Sequence, residues 1–251
     1  MLTIQIASDL HIEHNYVDIP DPLSLITPTS DILILAGDIG SLYRFEQLSG
    51  FLEQLCVHFK MVIYVPGNHE YYMLPDSKPL SMNFLESKLH SLDSNIDNLY
   101  ILTRSKIKIG NVCIAGATLW SNPDIDIPKY IVRIKDINTK LYRNLYRQDL
   151  KFLNDTIKEC EDEKMKLVIV SHYAPTFKIL EGIKKKKKYT TLYANNLDHL
   201  LDSSKIDTWI CGHSHHNFDF IADKGTRIVS NQLGKPKDHI TNYKTDFEIT
   251  A

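Results

Sequence analysis

Five times in this chain an apolar run ends directly in a short polar motif, and that repeated junction constrains the fold more than any other feature. Leu2, Ile4 and Ile6 alternate with Thr3 and Gln5, then run into Ser8, Asp9 and His11. Residues 31–36 lead to Gly37 and Asp38, and residues 61–65 stop at Pro66 and Gly67, ahead of Asn68, His69 and Glu70. Residues 166–170 lead to Ser171 and His172, and residues 208–211 to Gly212, His213 and His215. Alternation with period two marks a strand, and an unbroken apolar run marks a strand buried on both faces. In an open α/β sheet the loops at the carboxyl ends of the strands converge on one crevice. Residues far apart in sequence are therefore expected to meet there.

Between these junctions, Phe45, Leu48, Leu52, Leu55 and Phe59 give residues 42–59 helical periodicity, and residues 80–92 read as a second helix. Residues 129–160 are expected to form one or two helices on the flank of the site. Short strands are predicted at 100–102, 107–109 and 112–116, and a hairpin pairs 218–221 with 227–229 across residues 223–225. The chain carries no internal repeat and no long linker, so its 251 residues are expected to form one domain, 1–251.

Composition narrows the class further. A net charge of −2 supplies no global pull toward nucleic acid or an anionic membrane. Cys56, Cys113, Cys160 and Cys211 are widely spaced without a CxxC pair, which points to reduced, buried thiols. No apolar run approaches the roughly 20 residues of a spanning helix, and residues 1–8 lack the features of a signal peptide. A cytoplasmic, soluble protein with no membrane partner and no required protein partner is expected.

The polar motifs supply two Asp, one Asn and four His, with His69 in addition. Carboxylate, amide oxygen and neutral imidazole suit manganese, iron, zinc and similar ions. The absence of thiolates from the set speaks against a closed structural zinc site. Asp9 and His11 stand two residues apart, as do His213 and His215; a turn past the strand end can aim the members of each pair at different metals.

The ordered set DxH, GD, GNHE, SH and GHxH, spanning residues 9–215, resembles the calcineurin-like metallophosphoesterase superfamily. The segments 8–11 and 67–71 are more similar to its bacterial-type phosphohydrolases than to protein Ser/Thr phosphatases. The resemblance implies an α/β sandwich of two mixed sheets flanked by helices in four layers. It also implies that Asp9, His11, Asp38 and His215 hold one divalent ion, and that Asp38, Asn68, His172 and His213 hold a second, with Asp38 bridging. His69 would stay unligated and face the substrate as the catalytic acid. Manganese is the first expectation for both ions, with iron, zinc or nickel open.

Elementary chemistry agrees with that assignment. Two metals roughly 3.5–4 Å apart can clamp the attacking and leaving oxygens of an in-line displacement and lower the pKa of a shared water toward about 7. Asn68 ligates without adding negative charge, so the pocket stays cationic and attracts a phosphate oxyanion. The GD motif departs from the relatives' GDxxD or GDxxE, since Ser41 stands where the acid would be. Glu13 and Glu70 are the candidate carboxylates to orient His69 instead. The departure favours a phosphodiester, of nucleotide or nucleic-acid type, whose leaving group needs less protonation; phosphomonoesters come next. A protein Ser/Thr-type phosphatase and a non-catalytic metal-stabilised scaffold are the alternatives.

Further residues carry open readings. Tyr71 and Tyr72 either pack beneath the GNHE loop or stack on a base or aromatic leaving group, Tyr71 being the candidate substrate-binding residue beside Asn68 and His69. Trp120 either packs in the core, the favoured reading, or lines the pocket. The lysine run 184–188 is a solvated loop, a steering patch for a polyanionic substrate or a nuclear-import signal. His14 and His216 are read as exposed loop residues.

Overall fold

The two faces of each central strand carry apolar side chains, and each face demands a separate covering layer. The computed structural model describes residues 1–181 and 187–251. In chain order its strands are β1 (Thr3–Ala7), β2 (Ile32–Leu35), β3 (Met61–Tyr64), β4 (Leu99–Ile101), β5 (Ser105–Ile109), β6 (Val112–Ala117), β7 (Lys166–Ser171), β8 (Thr208–Ile210), β9 (Asp219–Ile221), β10 (Arg227–Val229) and β11 (Glu248–Thr250). The α-helices are α1 (Ile12–Asn15), α2 (Phe45–Cys56), α3 (Met82–Asn95) and α4 (Thr139–Glu163).

One sheet has the order β11-β1-β2-β3-β4 and the other β5-β6-β7-β8-β10-β9. β1 to β4 pair in parallel, and β11 joins β1 antiparallel. In the second sheet β6, β7, β8 and β10 are parallel, with β5 and β9 antiparallel at the edges. Both sheets are therefore mixed, as the resemblance implied.

Period-two alternation sorts the side chains into layers. Ile4, Ile6, Ile34, Ile63, Ile114, Val168, Val170 and Val229 form the core between the sheets. Their neighbours Leu33, Leu35, Val62 and Tyr64 turn the other way, against Leu48, Leu52 and Leu55 of α2 and Leu85 and Leu89 of α3. On the second sheet Cys113, Ala115, Leu167 and Ile169 meet Leu153, Ile157 and Cys160 of α4. Burying each such side chain contributes about 1.5–3 kcal/mol. All four cysteines are buried and free.

Several bounds differ from the sequence reading. α3 sits slightly later than 80–92. The segment 129–160 holds a single helix, α4, which starts at 139 because the Asn138 side chain accepts from the Leu141 N–H at 3.0 Å. The preceding residues stay in turns that line the site. β11 has no sequence signal, being a three-residue edge strand held by its pairing with β1. The β9–β10 hairpin forms as expected, with Gly225 at φ 97°. No helix among the described residues is long and apolar enough to cross a membrane. The side chains of the 184–188 lysine run lie outside the described residues.

Candidate metal centre

Because β1, β2, β3, β7 and β8 all point the same way within their parallel ladders, their following loops gather at one end of the two sheets. Backbone hydrogen bonds tie those loops together: Asp9 N–H to Gly37 C=O (2.9 Å), His11 N–H to Asp38 C=O (3.0 Å) and Gly212 N–H to His172 C=O (2.9 Å). The packing leaves no room for a side chain at the glycine positions. A Cβ on Gly37 would lie 2.4 Å from His172 Nδ1, and one on Gly67 would lie 2.3 Å from Asp38 Oδ1. Asp9, His11, Asp38, His213 and His215 all adopt left-handed backbone, with φ of 53°, 46°, 54°, 68° and 51°. That conformation is costly for non-glycine residues and concentrates where a site must aim its side chains.

Two groups of ligand atoms result. In the first, His11 Nε2 lies 3.0 Å from His215 Nε2 and 3.7 Å from Asp38 Oδ2, and His215 Nε2 lies 3.2 Å from Asp9 Oδ1. In the second, His172 Nε2 lies 3.0 Å from Asn68 Oδ1, 3.2 Å from His213 Nδ1 and 3.3 Å from Asp38 Oδ2. Asp38 Oδ2 therefore belongs to both groups. Its other oxygen accepts from the His69 N–H at 2.7 Å, which fixes the carboxylate's orientation.

Each imidazole is held from behind. His11 Nδ1 faces Glu13 Oε1 (3.1 Å), His215 Nδ1 faces Asp238 Oδ2 (2.5 Å), His172 Nδ1 faces the Ala36 carbonyl (2.9 Å), and His213 Nε2 faces the Leu192 carbonyl (3.2 Å). A ring proton on each of those nitrogens leaves the opposite nitrogen as a lone-pair donor directed at the group's centre. Nitrogen and oxygen atoms converging at such short separations fit a divalent cation in each group. Burial alone would lower His172, but Asp38 beside it lifts it to about 9. Burial opposes His215 likewise, yet hydrogen bonds to Asp238 and Asp9 lift it to about 9. Burial instead holds His11 and His213 well below the usual range.

The carboxylates named as orienting candidates have separate tasks. Glu70 is fully buried and accepts from the N–H groups of Gly67 (2.7 Å), Asp38 (3.1 Å) and Ile39 (2.8 Å) and from the Tyr64 hydroxyl (2.5 Å). It clamps the second and third loops together. Glu13 Oε1 lies 3.6 Å from His69 Nδ1, so of the two carboxylates it is the one beside that ring. Its second oxygen, Oε2, is buried and has no hydrogen-bond partner among the described residues. His69 Nε2 accepts from the Lys235 ammonium at 3.0 Å, and its ring packs against Tyr72 at 4.7 Å between centroids. Burial brings His69 down to about 3, with Asp38 opposing and Lys235 adding to the drop.

A cavity of about 370 Å³ opens over these groups, lined by Asp38, Asn68, His69, His213 and His215. Tyr72, Tyr130, Tyr173, Tyr189 and Tyr193 form its aromatic wall, and Arg133, Lys235 and Lys237 its cations. Tyr71 is not part of that wall. It is buried against Trp120 at 5.9 Å between ring centroids, so the cavity-lining tyrosine of this pair is Tyr72. His14 is exposed but leans on Glu13 at 3.4 Å. Asp238 and Lys235 carried no sequence signal, because both lie in an irregular segment without motif or periodicity.

Two mixed sheets with a shared His, Asp and Asn cluster at the carboxyl ends of their parallel strands define an α/β sandwich with a candidate two-metal centre. The profile of the calcineurin-like phosphoesterases matches residues 2–217, and the chain belongs to that family. An uncharacterized protein of Acanthamoeba polyphaga mimivirus is 28% identical over 263 residues, covering 93% of this chain and 91% of the relative. Among solved structures, the phosphopantetheinyl hydrolase of Mycobacterium tuberculosis is similar with a TM-score of 0.75 at 17% identity, over 94% of this chain and 90% of that one. A dimetal phosphatase from Danio rerio matches with a TM-score of 0.54 at 13% identity, over 91% and 86% of the two chains.

Proposed function

We propose that the chain is a dinuclear metal-dependent phosphodiesterase acting on a small ester that carries an aromatic or nucleotide-like group. The observation that carries the reading is the placement of Asp38 Oδ2, 3.7 Å from His11 Nε2 and 3.3 Å from His172 Nε2. Asp9, His11, Asp38 and His215 would hold one ion, and Asp38, Asn68, His172 and His213 the other. When bound, such ions supply Lewis acidity and a water of lowered pKa, about 7. Manganese is the proposed metal.

The chain's own residues account for the rest. Asp38 and Asp9 offset part of the metal charge, and Asn68 adds none, so an anionic ester is drawn in. His69 faces the cavity, aligned by Glu13. An arriving phosphoryl group would raise its pKa by adding a nearby negative charge. A diester with a good leaving group asks little of that acid, which favours diesters over monoesters. The tyrosine wall excludes water and offers faces on which a base or other ring can stack. A cavity of about 370 Å³ is small-molecule sized, which favours a compact ester over a folded phosphoprotein.

Turnover of bis-p-nitrophenyl phosphate, p-nitrophenyl phosphate, a phosphopeptide and a phosphopantetheinyl ester, each with Mn²⁺, Fe²⁺, Zn²⁺ or Ni²⁺, tests the reading. Diester hydrolysis should lead with Mn²⁺ and vanish in Asp38→Ala. A phosphopeptide preference would support the Ser/Thr-type alternative, and no turnover on any ester would leave the scaffold.

A further inference from the structure

Lys235 is the cation of the cavity whose ammonium reaches His69, with Nζ 3.0 Å from His69 Nε2. An ammonium has three donors and no acceptor, so the imidazole takes one and two remain for another partner. Among the described residues no carboxylate lies within the 4.0 Å of an ion pair with it. The backbone beneath it is fixed. Lys235 N–H donates to Asp238 Oδ2 at 2.9 Å, and the same oxygen accepts from His215 Nδ1 at 2.5 Å. One short turn therefore ties the lysine to a candidate metal ligand.

The charge arrangement is unusual for a structural lysine. A partly buried ammonium beside a site for two dications is repelled by them, and Asp38, Glu13 and Asp238 offset that only from a distance, without a direct ion pair. That cost is offset when an anion occupies the space between the ammonium and the metals. His69 accepts from Lys235 and, through Nδ1, meets Glu13 at 3.6 Å, so the imidazole acts as a strut that holds the ammonium in place.

We infer that Lys235 is a substrate-binding residue of this centre, its ammonium taking a non-bridging oxygen of the phosphoryl group while the Glu13–His69 pair positions it. The inference rests on the phosphoesterase reading above. It makes His69 a positioning residue for Lys235 as well as a neighbour of the leaving group.

Lys235→Met and Lys235→Arg, each loaded with Mn²⁺, test it. Isothermal calorimetry with inorganic phosphate and steady-state kinetics on bis-p-nitrophenyl phosphate are read alongside metal content and Tm. Lys235→Met should bind phosphate at least roughly ten-fold more weakly and lose about 10²-fold in kcat/KM, the scale for one preorganised donor. Metal content and Tm should stay at wild-type values, since the backbone turn is untouched. Lys235→Arg should recover part of both losses. Phosphate affinity in Lys235→Met equal to wild type would overturn the assignment, as would loss of a metal equivalent in that variant. If the wild-type protein binds phosphate but hydrolyses no ester, the phosphoesterase reading fails, and calorimetry alone still decides the role of Lys235.

Discussion

Single residues here act in chains of contact, and the carboxylates behind the histidines show it best. Asp238 stands behind His215 as Glu13 stands behind His11, each setting which ring nitrogen carries the proton. Burial would raise Asp238, but the hydrogen bond and charge of His215 take it down to about 2, so it is ionised throughout the working range. Asp238→Asn keeps the shape and removes that charge. Metal affinity at the Asp9, His11, Asp38 and His215 group should fall by roughly 10–100-fold, the usual loss for such a supporting partner. Affinity at the Asn68, His172 and His213 group should hold. Titration against a competing chelator separates the two, and equal affinities at both groups in the variant would refute the supporting role.

At the scale of elements, α4 reaches the site through Asp149. That carboxylate is fully buried, accepts from Arg104 Nη1 (3.0 Å) and from the Trp120 N–H (3.3 Å), and so pins the loop after β6. Trp120 in turn packs on Tyr142 and Tyr173 at the cavity wall. Burial pushes Asp149 up from its ordinary 3.8 to about 6, against the pull of Arg104. A raised folded pKa in an acid means that the native state binds the proton more tightly than the unfolded chain. The buried charge therefore costs stability as pH rises from about 4, and the cost is complete above about 6. By linkage it is on the order of 3 kcal/mol. Asp149→Asn lacks this term, so its stability relative to wild type should climb between pH 4 and pH 6 and level off beyond. Urea unfolding across that range measures it; a relative stability that falls with pH would show that the Arg104 pair outweighs burial.

Across the whole molecule, the two sheets bring their strand ends together and the core between them holds the site's two halves in register. β1 and β2 supply Asp9, His11 and Asp38, while β7 and β8 of the other sheet supply His172, His213 and His215. Five of these ligands sit in left-handed backbone, a strain stored where like-charged or electron-rich groups also crowd. Cations that bind only the native state must stabilise it, by about 4.1 kcal/mol at a thousand-fold excess over Kd. For a chain of this length that is a rise in Tm of roughly 8–16 °C. Differential scanning fluorimetry with and without Mn²⁺ should show the rise, and Asp38→Ala, which cuts both groups, should abolish it. An unchanged Tm in the wild-type protein would remove the case for metal binding.

Much was legible from the chain alone. Local periodicity marked ten of the eleven strands among the described residues, because alternation and apolar runs are written in near neighbours. Residue chemistry at the strand ends marked all seven side chains that now lie in the two ligand groups. β11 escaped because a short edge strand is defined by its partner. The tertiary structure alone decided that Glu13 and not Glu70 lies beside His69 Nδ1, that Tyr72 and not Tyr71 faces the cavity, and that Asp238 and Lys235 enter the site at all. Lys235 meets a histidine 166 residues away. Such pairings depend on which strand ends the sheets bring side by side, and that is a property of the assembled layers, invisible to any window of neighbouring residues.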